Sequence, residues 1–236
     1  MRLIFIRHGD PDYEHDSLTA KGRREAELLA ERVGGWKADR ILCSPLGRAR
    51  ETAEYSLKKL GMKAEVLDWL QEFYYPVADP ETGKDRLAWD FMPRYWTRIP
   101  EFYDKDHWTE ASVMKTGPIS EKYRMVCDGI DGILKEYGYE RSGGFYRYTE
   151  SRNDTVVIFC HLGVSYVMLS HLLGISPVVL WQTFFTAPTA VTVTATEERI
   201  EGEAMFRVQV MGDTSHLRAG GEPVSASGYF TDAFQK

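Results

Sequence analysis

The stretch that most limits what this chain can fold into is its first ten residues. Leu3-Ile4-Phe5-Ile6 is apolar throughout and hands over directly to Arg7-His8-Gly9. A strand with no polar face is covered on both sides, as in a parallel sheet with helices above and below. Ligands of such sheets gather beyond the carboxyl ends of the strands. Arg7 and His8 stand at that edge. Alone, the triplet says little, because a single histidine after a strand is more often hydrogen-bonded than reactive.

Two further stretches repeat the pattern. Residues 41–53, ILCSPLGRARETA, put Arg48 just past a second apolar run, and residues 155–163, TVVIFCHLG, put His161 just past a third. Three strand ends, each followed by a helical pattern, can converge on one anion site made of Arg7, His8, Arg48 and His161. In this order the stretches resemble the histidine phosphatase superfamily, the phosphoglycerate mutase-like enzymes. Its opening RHG is Arg7-His8-Gly9, its SPLxRAxxTA segment is Ser44 to Ala53, and its second histidine is His161, with Leu162 between it and Gly163. The resemblance runs from Met1 to about Gly174. It implies a three-layer α/β/α fold with a mostly parallel central sheet.

Composition limits the alternatives. With 236 residues the chain is long enough for one large α/β domain, and a single domain over residues 1–236 is expected. The net charge of −6 leaves no general basic field for nucleic acid or an anionic membrane. Cys43, Cys127 and Cys160 are odd in number, and two of them end apolar strands. Buried free thiols in a reducing cytoplasm are expected. Met1-Arg2 leads straight into the strand, so no N-terminal leader is expected. The apolar stretch Val156 to Leu173 is broken by His161, Ser165, Ser170 and His171, and does not read as membrane-spanning. No HxH or HxxxH spacing supports a metal site, and neither metal nor cofactor is expected.

Along the chain, Thr19 reads as the N-cap of a helix with Ala26, Leu29, Ala30 and Val33 on one face and Gly34-Gly35 as its stop. Residues 39–44 form a strand, residues 47–60 a helix ended by Gly61, and residues 64–70 a third strand or its exit. Eleven of the thirty aromatic residues then fall between Trp69 and Trp108, with Pro76, Pro80, Pro93 and Pro100 among them. Irregular segments this long inside a domain are usually functional, and residues 73–119 are read as an aromatic lid inserted over the strand ends. A helix follows at residues 120–137, capped by Ser120, then a hairpin at 139–148 around Gly143-Gly144. After the strand that delivers His161 comes a helix over 163–173. Alternation at 189–196 and 204–211 suggests edge strands. In the polar tail, 212–236, Asp213-Thr214-Ser215-His216 either folds back near the site or is plain surface.

By resemblance, His8 is the nucleophile that becomes phosphorylated, and His161 donates to the phosphoryl group with Arg7 and Arg48. An imidazole attacks through one nitrogen only if the other keeps its proton, and the Gly9 carbonyl is close enough to hold it. Arginine suits the oxyanion because its planar fork spans two oxygens and stays charged. The acid that protonates the leaving oxygen is assigned by resemblance to Glu72, whose neighbours Leu70, Phe73 and Tyr74 suggest an apolar setting. Asp79 and Asp10 are the reserves. The loop after RHG is short and lacks the asparagine segment of cofactor-dependent mutases, leaving Tyr13 as a loose substitute; Leu162 completes the substrate-binding set. The WEG-type continuation after the acid is replaced by Tyr75-Pro76, and no arginine pair for a substrate carboxylate is present. These departures favour a phosphoric monoester hydrolase of the histidine acid phosphatase type, acting on a small phosphorylated metabolite. A mutase, or a non-catalytic binding protein on the same fold, is the alternative. The sequence leaves the oligomeric state open.

Overall fold

An alternation concealed inside the apolar runs orders the layers. In the computed structural model, which describes residues 1–229, Leu3 and Phe5 of the strand Arg2–Arg7 enter one core while Ile4 and Ile6 enter another. The strand Thr155–Cys160 divides in the same way. Val156, Ile158 and Cys160 join the first core, and Val157 and Phe159 the second. Successive strand side chains point to opposite faces, so a run buried on both faces is apolar at every position.

The sheet has eight strands in the order Glu65–Val66, Arg40–Cys43, Thr155–Cys160, Arg2–Arg7, Val191–Ile200, Glu203–Asp213, Phe145–Arg147, Glu140–Ser142. The first four are mutually parallel. Val191–Ile200 runs antiparallel to Arg2–Arg7, and the remaining pairs alternate. Six of the eight therefore share one direction. On one face lie the helices Ala20–Val33 and Gly47–Leu60, which bury Leu29, Val33, Ala49 and Ala53. On the other lie Ile119–Glu136 and Leu162–Leu173. Fold class and layers are those expected. Thr19 caps its helix by accepting from Gly22 N at 3.0 Å, and Gly61 and Gly174 end theirs at φ +64° and +67°. Cys43, Cys127 and Cys160 are free and buried.

Several expectations need correction. Residues 64–70 are part strand and part exit. Only Glu65–Val66 pairs with the sheet, and a 3-10 turn over Asp68–Leu70 buries Leu70 and lays Trp69 where a side chain on Gly129 would be. The strands Val191–Ile200 and Glu203–Asp213 are interior, not edge, strands. The alternation suggested edge strands, but Thr192 and Thr194 of the first are buried with their hydroxyls bonded to Met211 Sδ and the Leu3 carbonyl. Thr189 and Ala190 precede the strand. The helix expected from Ser120 starts at Ile119 behind Pro118, leaving Ser120 exposed. The helix expected from residue 163 begins at Leu162. Of the tail, residues 230–236 lie outside the described residues.

Residues 73–119 comprise a two-stranded hairpin, Pro76–Ala78 with Asp85–Leu87, and four short helical turns. Phe73, Phe91, Phe102 and Trp108 are buried in the main core. Trp108 and Phe73 both pack against Trp181 at centroid distances of 5.6 and 5.4 Å. Among the described residues no helix is long and apolar enough to cross a membrane.

One ionisable side chain is buried beside the loop that leaves the first strand. Glu25 Oε2 accepts from Asp10 N at 2.8 Å, and burial raises its carboxyl to about 7 against the opposing N–H of Asp10 and charge of Lys21. As pH rises through the ordinary carboxylate range the unfolded chain releases this proton first, so the folded state loses stability between about pH 4.5 and 7, on the order of 2 kcal/mol. Glu25→Gln removes that titration and keeps an acceptor for Asp10 N. Denaturant unfolding at pH 5 and pH 7.5 is expected to show the variant gaining on the parent by that amount; a constant difference at both pH values would refute it.

Candidate active site

The parallel half of the sheet carries its reactive residues on consecutive strand ends. His8 follows Arg2–Arg7, His161 follows the adjacent Thr155–Cys160, and Ser44 follows the next strand, Arg40–Cys43. The imidazoles of His8 and His161 stand 5.1 Å apart at 55°. His8 and His161 are 2% and 0% exposed, and Arg7 is 7% exposed.

Hydrogen bonds fix the state of each ring. His8 Nδ1 lies 2.7 Å from Gly9 O. A carbonyl only accepts, so Nδ1 carries the hydrogen and Nε2 presents its lone pair. His161 Nε2 lies 2.7 Å from Ser44 Oγ, which already accepts from Leu46 N. Ser44 is buried and, among the described residues, its hydroxyl has no other acceptor, so its proton goes to Nε2, leaving Nδ1–H of His161 as a buried donor without a partner there. Burial pushes both imidazoles well below their ordinary pKa. Arg7 and then Arg48 add to this for His8, against the Gly9 carbonyl; His8, Arg48 and Arg7 add to it for His161.

The guanidiniums are held from outside the parallel strands. Arg7 Nη1 donates to Thr186 O at 2.7 Å and Nη2 to Ser227 O at 3.3 Å, and the cation lies 5.5 Å from the centroid of Phe185. Arg48, in the first turn of Gly47–Leu60, donates through Nη1 to Asp16 Oδ1 at 2.6 Å. The other oxygen of Asp16 accepts from Gly47 N at 2.6 Å. A Cβ on Gly47 would sit 2.0 Å from Asp16 O, so this approach requires glycine. Among the described residues, Arg7 Nε and Arg48 Nε are buried without a partner. Together with His161 Nδ1 they are charged or polar donors from three chain segments around the His8 ring. Such a set suits a tetrahedral oxyanion.

The other expected residues are placed as follows. Tyr13 is largely exposed, with its ring 5.4 Å from the Arg48 guanidinium carbon. Leu162 opens the helix behind His161, half-buried against the main core. Glu72 Oε1 accepts from Phe73 N at 2.7 Å and Val164 N at 2.9 Å, and Oε2 from Gly163 N at 3.2 Å. The apolar setting expected for this side chain is replaced by three backbone donors, two of them at the N-terminus of Leu162–Leu173. The reserves are committed elsewhere. Asp10 accepts from Thr19 Oγ1 at 2.7 Å and from Ser225 Oγ. Asp79 lies in the hairpin turn; burial raises its carboxyl, but Arg86 and the N–H groups of Thr82 and Glu81 outweigh this and hold it at about 2.

Several residues escaped the sequence reading. Thr52 had a signal, one helical turn after Arg48. Its hydroxyl accepts from Gly9 N at 2.9 Å and donates to Arg48 O at 2.7 Å, joining the two motifs. Thr186, Phe185 and Ser227 had none, because nothing local marks them as partners of a residue some 180 to 220 positions earlier. Of the tail's two readings, folding back holds: His216 is buried and meets Thr189, although Asp213 and Ser215 stay nearer the surface.

Residues 3–204 match the family model of the histidine phosphatase superfamily (branch 1). The adenosylcobalamin/alpha-ribazole phosphatase of Escherichia coli is 22% identical over 192 residues, covering 77% of this chain and 83% of that protein. A probable phosphatase of Schizosaccharomyces pombe is 23% identical over 234 residues, covering 93% and 96%. Among solved structures, a mycobacterial glucosyl-3-phosphoglycerate phosphatase is similar with a TM-score of 0.61 at 17% identity, covering 89% of this chain and 98% of the other. A mutant phosphoserine phosphatase of Entamoeba histolytica in complex with phosphoserine gives 0.60 at 18%, covering 92% and 98%.

The site's electrostatics predict its titration. In the free protein His8 and His161 are expected to stay neutral as pH falls through 6.5, where exposed His107, raised by its bond to Asp104, is already charged. The unfolded chain takes up these protons first, so stability falls as pH drops below about 6.5. Imidazole 15N shifts followed from pH 8 to 5 check this; His8 titrating at or above the ordinary histidine value would contradict it.

Proposed function

Because the chain belongs to the histidine phosphatase superfamily (branch 1), we propose that it is a phosphoric monoester hydrolase that takes the phosphoryl group of a small phosphorylated metabolite onto His8. The observation that carries this reading is the His8 ring, with Nδ1–H donated to Gly9 O and Nε2 free beside a second imidazole and two guanidiniums. Nε2 attacks phosphorus in line with the departing oxygen. Arg7, Arg48 and His161 Nδ1–H stabilise the charge on the equatorial oxygens. Phosphate brings negative charge among these groups, which favours protonated imidazole and strengthens the donor at His161.

Glu72 supplies the proton for the leaving oxygen and then takes one from the water that hydrolyses phospho-His8. Oε1 is committed to two short N–H bonds; Oε2, with one longer bond, is the oxygen through which the proton passes. Tyr13 over Arg48, and Phe185 over Arg7 with its tilted neighbour Tyr229 at 3.8 Å, offer apolar faces to the organic part of the substrate. Residues 73–119 form a wall of the entrance, held in place by the rings they bury. Hydrolysis is favoured over mutase transfer by the missing arginine pair and by relatives named as phosphatases. Buried free thiols at Cys43, Cys127 and Cys160 suit a reducing cytoplasm.

His8→Ala is expected to abolish turnover of 4-nitrophenyl phosphate and the acid-labile phosphoenzyme trapped by rapid quench. Glu72→Gln separates the acid's role from binding. Because hydrolysis of phospho-His8 is common to both substrates, the phosphorylation step is followed by rapid quench: for an alkyl phosphate, whose leaving alkoxide needs a proton, it is expected to slow by about 10²- to 10⁴-fold, and for 4-nitrophenyl phosphate far less. Equal losses on both substrates would remove Glu72 from that role, and unchanged turnover in His8→Ala would overturn the reading itself.

A further inference from the structure

Thr189 is fully buried and adopts φ +56°. A β-branched residue is strained in this left-handed region, and such strain persists only where the surroundings impose it. From this conformation its N–H is shared between Arg7 O and His8 O, each at 3.1 Å. The ladder between the first strand and Val191–Ile200 ends at Ile6 and Val191. Beyond it, Thr189 N–H, with Arg7 N donating to Ala190 O at 3.3 Å, is what holds the backbone of Arg7 and His8 on this side.

The conformation of Thr189 is itself held by a chain of hydrogen bonds whose direction is fixed throughout. Arg32 is anchored to Asp213, with Nη2 on Oδ2 at 2.6 Å, and its Nη1 faces His216 Nδ1 at 3.5 Å. A guanidinium only donates, so Nδ1 accepts and Nε2 carries the hydrogen. Nε2–H donates to Thr189 Oγ1 at 3.1 Å, and Oγ1–H donates onward to Pro188 O at 2.8 Å. Every buried polar atom of His216 and Thr189 along this line has its partner. Burial, with Arg32 outweighing the opposite pull of Asp213, lowers the His216 imidazole to about 4, so the neutral tautomer persists at neutral pH.

We propose that His216 is a positioning residue for the nucleophile: by donating to Thr189 Oγ1 it keeps Thr189 left-handed, and Thr189 fixes the backbone that aims His8. This rests on His8 being the nucleophile, but the positioning is a property of the folded chain and has its own readout. The sequence placed His216 in a tail with two open readings; here the tail reaches the centre of the site through one imidazole.

A double-mutant cycle tests it. Thr189→Gly keeps the N–H donor and lets the backbone adopt φ +56° without strain, so the variant no longer needs His216. His216→Ala in the parent is expected to lower kcat for 4-nitrophenyl phosphate about tenfold with little change in KM, and in the Thr189→Gly background less than threefold. His216→Gln, whose amide N–H can reach the same hydroxyl, is expected to restore most of the loss. The same cycle is read without turnover from the 15N shift of His8 Nδ1, which reports its bond to Gly9 O. His216→Ala is expected to shift or split that signal in the parent and leave it single in the glycine background. If His216→Ala does not fold, Thr189→Val, which removes the acceptor and leaves the tail intact, is expected to perturb the same signal. Equal losses in both backgrounds, or an unperturbed His8 signal in His216→Ala or Thr189→Val, would overturn the proposal. Absent turnover together with the expected shifts would leave the positioning standing and remove the enzyme reading.

Discussion

A guanidinium taken out of water has to find its hydrogen-bond partners in the protein, and the way Arg7 does so organises the molecule. A buried cation is costly unless neighbouring polar groups replace its water. Arg7 takes carbonyls from Thr186 and Ser227 and the face of Phe185. None of these belongs to the parallel half of the sheet that delivers His8, Arg48 and His161. The chain must therefore return alongside its own first strand, and it does so in Val191–Ile200, the strand that reverses direction in the sheet. The C-terminal third is thus part of the site.

The same burial settles the charges. Two buried imidazoles beside two permanent cations cannot both be cations as well, and burial with the neighbouring guanidiniums holds them neutral. Neutral rings leave His8 Nε2 with its lone pair, the one the proposed attack on phosphorus uses. Two acidic side chains, each bound at a helix N-terminus, lie beside these cations. Asp16 joins the N–H of Gly47 to Arg48, and Glu72 accepts from Gly163 and Val164. An acid at a helix N-terminus is stabilised by the N–H groups and the helix dipole. Each therefore ties a loop to the helix behind a site residue: Asp16 to the helix of Arg48, Glu72 to the helix that follows His161.

What was legible in the sequence is what depends on short-range pattern. Leu3 to Ile6 and Val156 to Cys160 read as strands covered on both faces, and Arg7, His8, Arg48 and His161 as strand-end residues, because apolar runs and the residues following them are contiguous. The Gly9 carbonyl was legible for the same reason, being one residue from the ring it holds. Thr192 and Thr194 misled, since an alternating Val-Thr pattern looks the same whether the threonines meet water or a carbonyl across the sheet. Glu72 misled too: its neighbours in sequence are apolar, but its donors at Gly163 and Val164 come from about ninety residues away. Residues 73–119 were legible as aromatic and irregular, whereas the burial of Phe73 and Trp108 depends on Trp181 in the helix Pro177–Thr183, far later in the chain.

Among the described residues only Asp16 and Thr189 are non-glycine residues with positive φ. Both touch the site, one through the side chain of Arg48, the other through the carbonyls of Arg7 and His8. Their strain costs on the order of 1–3 kcal/mol each, and it lies in loops rather than in the strands. A strand end fixes where a residue leaves the sheet but not how its side chain is aimed. The aim is set by what grips the chain just beyond the last ladder bond. An oxyanion site assembled from separate strand ends therefore concentrates its strain in the loops that face those ends, and the regular part of the sheet carries none of it.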